Sequence, residues 1–183
     1  MRWWKSILSG IGAFALTACA SHTDADDAPA MSIASASVTG NELVARLDWR
    51  PDETLLEALD HGIPLDFVFT VKAQKPLAFG LHVDAAEQRR HIQLRYFPLS
   101  RYYQLLDLDQ HQSRGFPARA AALAAFEDIR IPLLTWNTID ADRYRLDVAI
   151  DRTTLPGVLR VSSLVRPAWW LHSDAYTWPA TID

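Results

Sequence analysis

The 183-residue sequence predicts a mainly β, α+β fold: an antiparallel β-sandwich of about seven or eight strands with two or three short helices. Three observations predict it. Apolar and polar residues alternate with period two over residues 43–49, 65–73, 88–97 and 143–151, the pattern of strands that bury one face in an antiparallel sheet. Clear helix signals occur after Pro51 and after Pro117 only. Strand and helix patterns do not alternate along the chain, which excludes a parallel sheet built from βαβ units.

Residues 33–38 alternate weakly and read as an edge strand, joined through the Gly40-Asn41 turn to the strand 43–49, with Leu43, Ala45, Leu47 and Trp49 on one face. Pro51, Asp52 and Glu53 open a helix, since proline suits the first turn and acids favour the positive end of its dipole. Leu55, Leu56 and Leu59 give that helix an apolar face, and Gly62 stops it where a left-handed residue is wanted. Residues 65–73 form the strongest strand, with Leu65, Phe67, Phe69, Val71 and Ala73 inward. Val68 and Thr70 on its other face suit a central place in the sheet. Residues 75–87 fit either type. Over 88–97, Ile92, Leu94 and Tyr96 point inward, and Arg89, His91, Gln93 and Arg95 outward. Pro98 turns the chain, 102–108 returns as a strand, and 109–115 reads as a polar loop. A second helix spans 118–128, alanine being the best helix former, with Leu123 and Phe126 as its stripe and Pro132 as its end. Residues 133–136 suggest a short strand. Over 143–151, Tyr144, Leu146, Val148 and Ile150 point inward. Residues 158–165 fit helix or strand, and 169–178 read as a last, aromatic strand.

The N-terminus is of another kind. Arg2 and Lys5 precede an apolar run from Ile7 to Ala18, too short for the roughly 20 residues that span a bilayer but suited to a signal peptide. Leu16-Thr17-Ala18-Cys19 resembles a bacterial lipobox, in which Cys19 would be acylated. Cys19 is the only cysteine, so an intramolecular disulfide is excluded. The alternative is an ordinary secretory peptide cleaved near Ala18 or Ala20. Residues 1–18 are thus expected to be a lipoprotein signal, 19–30 a polar, acidic tether, and 31–183 the folded domain. A tether of about ten residues reaches roughly 15–20 Å. Ala20 rather than aspartate follows the cysteine, which by bacterial sorting rules favours the outer over the inner membrane. The expected location is the cell envelope, lipid-anchored and facing the periplasm.

The chain carries 18 lysines and arginines against 22 acids. Loss of Arg2 and Lys5 with the signal would leave 16 against 22, a net charge of −6, which disfavours nucleic acid as a partner.

Six segments, in order, resemble a known family: Ala58-Leu59 with Gly62-Ile63-Pro64-Leu65; Leu94-Arg95-Tyr96 with Leu99-Ser100-Arg101-Tyr102; Phe116-Pro117; Tyr144-Arg145-Leu146; Leu155-Pro156; and Tyr176-Thr177-Trp178-Pro179. Together they resemble the proteobacterial domain-of-unknown-function family numbered 4390, over nearly all of the mature chain. The resemblance implies an exported protein and supplies no catalytic residues. Members' genes often neighbour sensor-kinase genes, which suggests a signalling context.

Candidate sites compete with structural explanations. Asp107, Asp109 and His111 could hold a divalent metal on one strand face, or could be a solvated hairpin end; His82 and Asp84 are a weaker version. His172, Ser173 and Asp174 are triad residue types, but neighbours on a strand point to opposite faces, and no Gly-x-Ser-x-Gly elbow is present. Arg89, Arg95, Arg143 and Arg145 could form an anion-binding or partner-binding patch, or pair across strands with Asp147, Asp151 or Asp48. Trp169, Trp170, Tyr176 and Trp178 could contact a partner, or lock the C-terminus into the core. A P-loop, dinucleotide fingerprint, His-Glu-x-x-His pair and cysteine pair are all missing from the sequence, and no cofactor is expected. The reading that results is a non-enzymatic envelope lipoprotein that binds an unknown envelope protein, linked to envelope signalling. The alternatives are a metal-dependent hydrolase built on Asp107, Asp109 and His111, and a carrier for a small apolar ligand between the sheets.

Overall fold

Side chains leave a strand on alternating faces, so a run with period-two apolar residues folds once that face is covered. In the computed structural model, which describes residues 30–134 and 141–180, nine strands among the described residues form two antiparallel sheets. The first holds β1 (Ala30–Thr39), β2 (Glu42–Arg50) and β7 (Asp128–Pro132), in the order β1-β2-β7. The second holds β3 (Leu65–Pro76), β4 (His82–Phe97), β5 (Tyr102–Asp107), β6 (Gln112–Phe116), β8 (Arg143–Ile150) and β9 (Tyr176–Pro179), in the order β6-β5-β4-β3-β8-β9. Three helices complete the described fold: α1 (Glu53–Asp60), α2 (Arg119–Glu127) and α3 (Gly157–Ser163).

The expected hairpin of β1 and β2 is present, with Gly40 at φ 57° in its turn. Strand β1 lies at a sheet edge and begins at Ala30, inside the stretch expected to be tether. Helix α1 is capped at both ends. The Asp52 carboxylate accepts from Thr54 N–H at 2.7 Å. At the other end Gly62, at φ 80°, donates to the Leu59 carbonyl and Ile63 donates to that of Ala58, a Schellman motif that satisfies carbonyls the helix would leave unpaired.

Strand β3 is central, between β4 and β8. Its inward residues Leu65, Phe67, Phe69, Val71 and Ala73 are all fully buried, and its outer face is itself mostly half-covered. Trp49 of β2, Phe67 of β3 and Phe126 of α2 meet at ring-centroid distances of 4.4–5.2 Å. Phe126 therefore brings α2 into the core that the two sheets share, and aromatic contacts of this kind add to area burial.

Four sequence expectations are corrected. The polar loop 109–115 contains a strand, β6, held to β5 by backbone pairing from Tyr103–Phe116 to Asp107–Gln112; its side chains are almost all exposed, so no apolar alternation marks it. The second helix, expected over 118–128, spans 119–127, but the residues from there to Pro132, expected only to end it, pair with β2 as β7 and bury Ile129 and Ile131. Leu133 follows that strand as a buried loop residue, while Trp136 lies outside the described residues. The last strand is only Tyr176–Pro179, because Trp169 and Trp170 sit in the short 3-10 turn Pro167–Trp170. The two ambiguous stretches resolve as the tip of the β3–β4 hairpin and as α3.

The long hairpin gives the domain two distinct ends. Phe67 pairs with Ile150 and Gln74 with Arg143, so the β3–β4 tip shares its end with the start of β8. Ile150 donates to the Leu171 carbonyl at 3.0 Å, which puts the Pro167–Trp170 turn at the opposite end, called here the base.

Candidate functional site

Strand β4 sets one residue against its own pattern. Arg90 lies on the same face as Ile92 and Leu94 and is only 2% exposed. An unpaired guanidinium there would be very costly. Asp107, the last residue of β5, answers it: its Oδ2 accepts from Arg90 Nη2 at 2.7 Å, while its Oδ1 accepts the backbone N–H groups of Asp109 and Gln110. Asp109 Oδ2 accepts from His91 N–H at 2.7 Å and stands 3.9 Å from Arg90 Nε. His111 is exposed in the turn at φ 54°. Asp107 and Asp109 thus converge on Arg90, and His111 does not join them. Among the described residues no three His, Cys, Asp or Glu side chains are grouped to hold a metal ion. A cleft of about 200 Å³ opens between the sheets beside Asp107, floored by Ile92, Leu105 and Ile129.

The outer face of the large sheet carries the expected arginines. Arg89 is bound to Glu87 at 2.8 Å, and Arg95 lies 4.6 Å from the Phe97 ring centre. Arg143 Nη2 is 2.8 Å from His82 Nε2, which is 3.1 Å from Asp142 Oδ2. Of the acids foreseen as partners, Asp151 caps the turn at Thr153, Asp147 sits in register with Thr70 on the outer face, and Asp48 belongs to the other sheet. Lys72 contributes the densest charge cluster, donating to Asp84 at 2.7 Å and lying 3.2 Å from Glu87. Hydrogen bonds from Gln74 and then Lys72 hold the Asp84 carboxyl below its usual range, helped by the charge of nearby Arg145. Lys72 does the same for Glu87, and its own ammonium is raised chiefly by Asp84. His82 and Asp84 face different partners, so they form no common site.

His172, Ser173 and Asp174 form no relay. Ser173 is buried and its Oγ accepts from Val148 N–H at 2.9 Å, whereas His172 and Asp174 are exposed. The aromatic set divides. Trp169 is 2% exposed and belongs to the core. Trp178 and Tyr176 are half-buried and 5.8 Å apart, with Trp178 also near Tyr144. Trp170 is 56% exposed. Cys19 lies outside the described residues.

Two apolar surfaces escaped the sequence reading. At the hairpin tip, Leu77, Phe79, Leu81 and Val83 are exposed, with Phe79 100% exposed at φ 62°. A non-glycine residue in the left-handed region is uncommon. At the base, Val161, Leu164, Val165 and Trp170 are exposed together. Large apolar residues on both sides of Gly80 were the legible signal for the tip, since turns are ordinarily polar.

No described helix is long and apolar enough to cross a membrane. No curated protein and no solved structure matches the chain. The family described as Domain of unknown function (DUF4390) matches residues 30–179, from the first residue of β1 to the last of β9, and the chain belongs to that family.

Proposed function

We propose that this protein is a non-enzymatic binding module of the cell envelope, tethered through an acylated Cys19, which meets a protein partner through the β3–β4 hairpin tip. The exposed apolar tip carries the reading. Leu77, Phe79, Leu81 and Val83 add little to the core, and contiguous exposed apolar surface marks interaction sites. A lone cysteine at the end of Leu16-Thr17-Ala18 supports the tether, and the tip is the exposed apolar surface farthest from the base. A role in envelope signalling fits such a module.

The two alternatives have less support. Asp107 and Asp109 are turned toward Arg90 and toward backbone N–H groups, and among the described residues no third His, Cys, Asp or Glu is grouped with them. A carrier needs an internal cavity of about 300 Å³ or more, whereas the rings of Trp49, Phe67 and Phe126 pack against one another in the core and the cleft beside Asp107 holds about 200 Å³.

The test is site-specific photo-crosslinking in native cells. A photoreactive residue replacing Phe79 should give one specific protein adduct, and the same residue replacing exposed Leu99 should not. Absence of an adduct at 79, or identical adducts at both positions, overturns the reading. Cys19→Ala should release the protein from the membrane fraction and remove the acyl mass.

A further inference from the structure

The base of the domain carries a surface unlike the rest of this acidic chain. From Arg152 through Ser173 the sequence contains three arginines, Arg152, Arg160 and Arg166, and no aspartate or glutamate. The segment holds α3 and the turn Pro167–Trp170. Val161, Leu164, Val165 and Trp170 stand out from it into solvent, Val165 at 79% exposure. Its cations flank these apolar groups: Arg152 lies 5.3 Å from the Trp170 ring centre, Arg160 is held by the carbonyls of Thr153 and Leu155, and Arg166 follows Val165 directly. Glu57 of α1 and Asp174 border the surface. Exposed aliphatic side chains, an amphipathic tryptophan and arginines without intervening acids are what an anionic bilayer surface selects.

A second observation indicates what covers this face. Ala30, where the described fold begins, lines one groove with Trp170, Leu171 and His172. The chain leading back to Cys19 therefore enters the fold at the edge of the patch. Ten residues separate Cys19 from Ala30, and ten residues can span at most about 36 Å, which holds that face near whatever Cys19 is attached to.

We infer that the surface formed by residues 152–170 beside Ala30 lies against an anionic lipid bilayer, with Val165, Leu164 and Trp170 in the headgroup layer. The inference deepens the proposed function and rests on it for the tether. It also orients the domain, because the hairpin tip lies at the far end.

The experiment uses the full chain carrying Val165→Cys, labelled with an environment-sensitive fluorophore. It is reconstituted with vesicles of phosphatidylethanolamine and phosphatidylglycerol that contain a nitroxide-labelled lipid. The label at 165 should be quenched about twofold or more and shift to the blue, while a Phe79→Cys label, at the far end of the hairpin, should stay unquenched. Adding Arg166→Glu, or replacing phosphatidylglycerol with phosphatidylcholine, should reduce the quenching at 165. An unquenched label at 165, or equal quenching at 165 and 79, overturns the inference and leaves the patch to a protein. Intact mass of the same sample reports acylation separately. If the chain proves unacylated, Cys19→Ala is added so that the label sits at 165 alone, and quenching there keeps the bilayer face and removes the tether; an acylated chain unquenched at 165 does the reverse.

Discussion

The root and the tip of the β3–β4 hairpin are made of similar residues in different circumstances. At the root, Leu65, Phe67 and Leu94 are fully buried between sheet and helix. At the tip, Leu77, Phe79 and Leu81 are in solvent, although the same hairpin carries them. Hydrophobic stabilisation follows the apolar area removed from water, so the root holds the fold and the tip contributes almost nothing to it. Apolar side chains that do not stabilise the domain that bears them need another explanation, and a contact surface provides one.

Three substitutions sharpen or break this contrast. Phe67→Ala should have the largest effect: it removes a ring packed on both Trp49 and Phe126 and should cost about 3–5 kcal/mol, read as a lower midpoint of chemical denaturation. Arg90→Met tests the polar part of the same core. It strips Asp107 of its strongest partner while leaving two backbone donors on that carboxylate, so the cost should be about 3 kcal/mol, near the low end for breaking a buried pair. Adding Asp107→Asn should recover part of that loss, and a double variant no more stable than Arg90→Met would show that the pair is not the source. Phe79→Ser should have the smallest effect, within about 0.5 kcal/mol or slightly stabilising. A large loss there would mean that the tip packs against something in the folded chain, and the contrast would fail.

The sequence showed the root far better than the tip. Alternation at Leu65 through Ala73 is visible because one face is dry and the other is not. Beyond Gln74 both faces meet water, so the alternation of Leu77, Phe79, Leu81 and Val83 with Ala78, Gly80 and His82 does not mark a buried face. Strand β6 was invisible for a related reason: Gln112 through Gly115 are exposed, and backbone pairing alone leaves no trace in side-chain choice. Strand β7 was hidden by its closeness to α2, which hands over at Asp128 with no breaker between them. Arg90 illustrates the reverse problem. A charge in an apolar alternation reads as a break in the pattern, and only the arrival of Asp107 from β5 makes it an inward residue. The cluster of Asp107, Asp109 and His111 likewise had the composition of a metal site, while its geometry depends on Arg90, distant in sequence.

Strand β3 runs for 12 residues from base to tip, a length of roughly 40 Å at strand rise. With neighbours on both sides along most of that course, it cannot shorten or fold over without breaking its ladders. The domain is then a strut of set height: an object docked on Phe79 is kept at a standoff several times wider than a hydrogen bond network can bridge from whatever touches Trp170. Lengthening or trimming the hairpin would alter that spacing without disturbing either end.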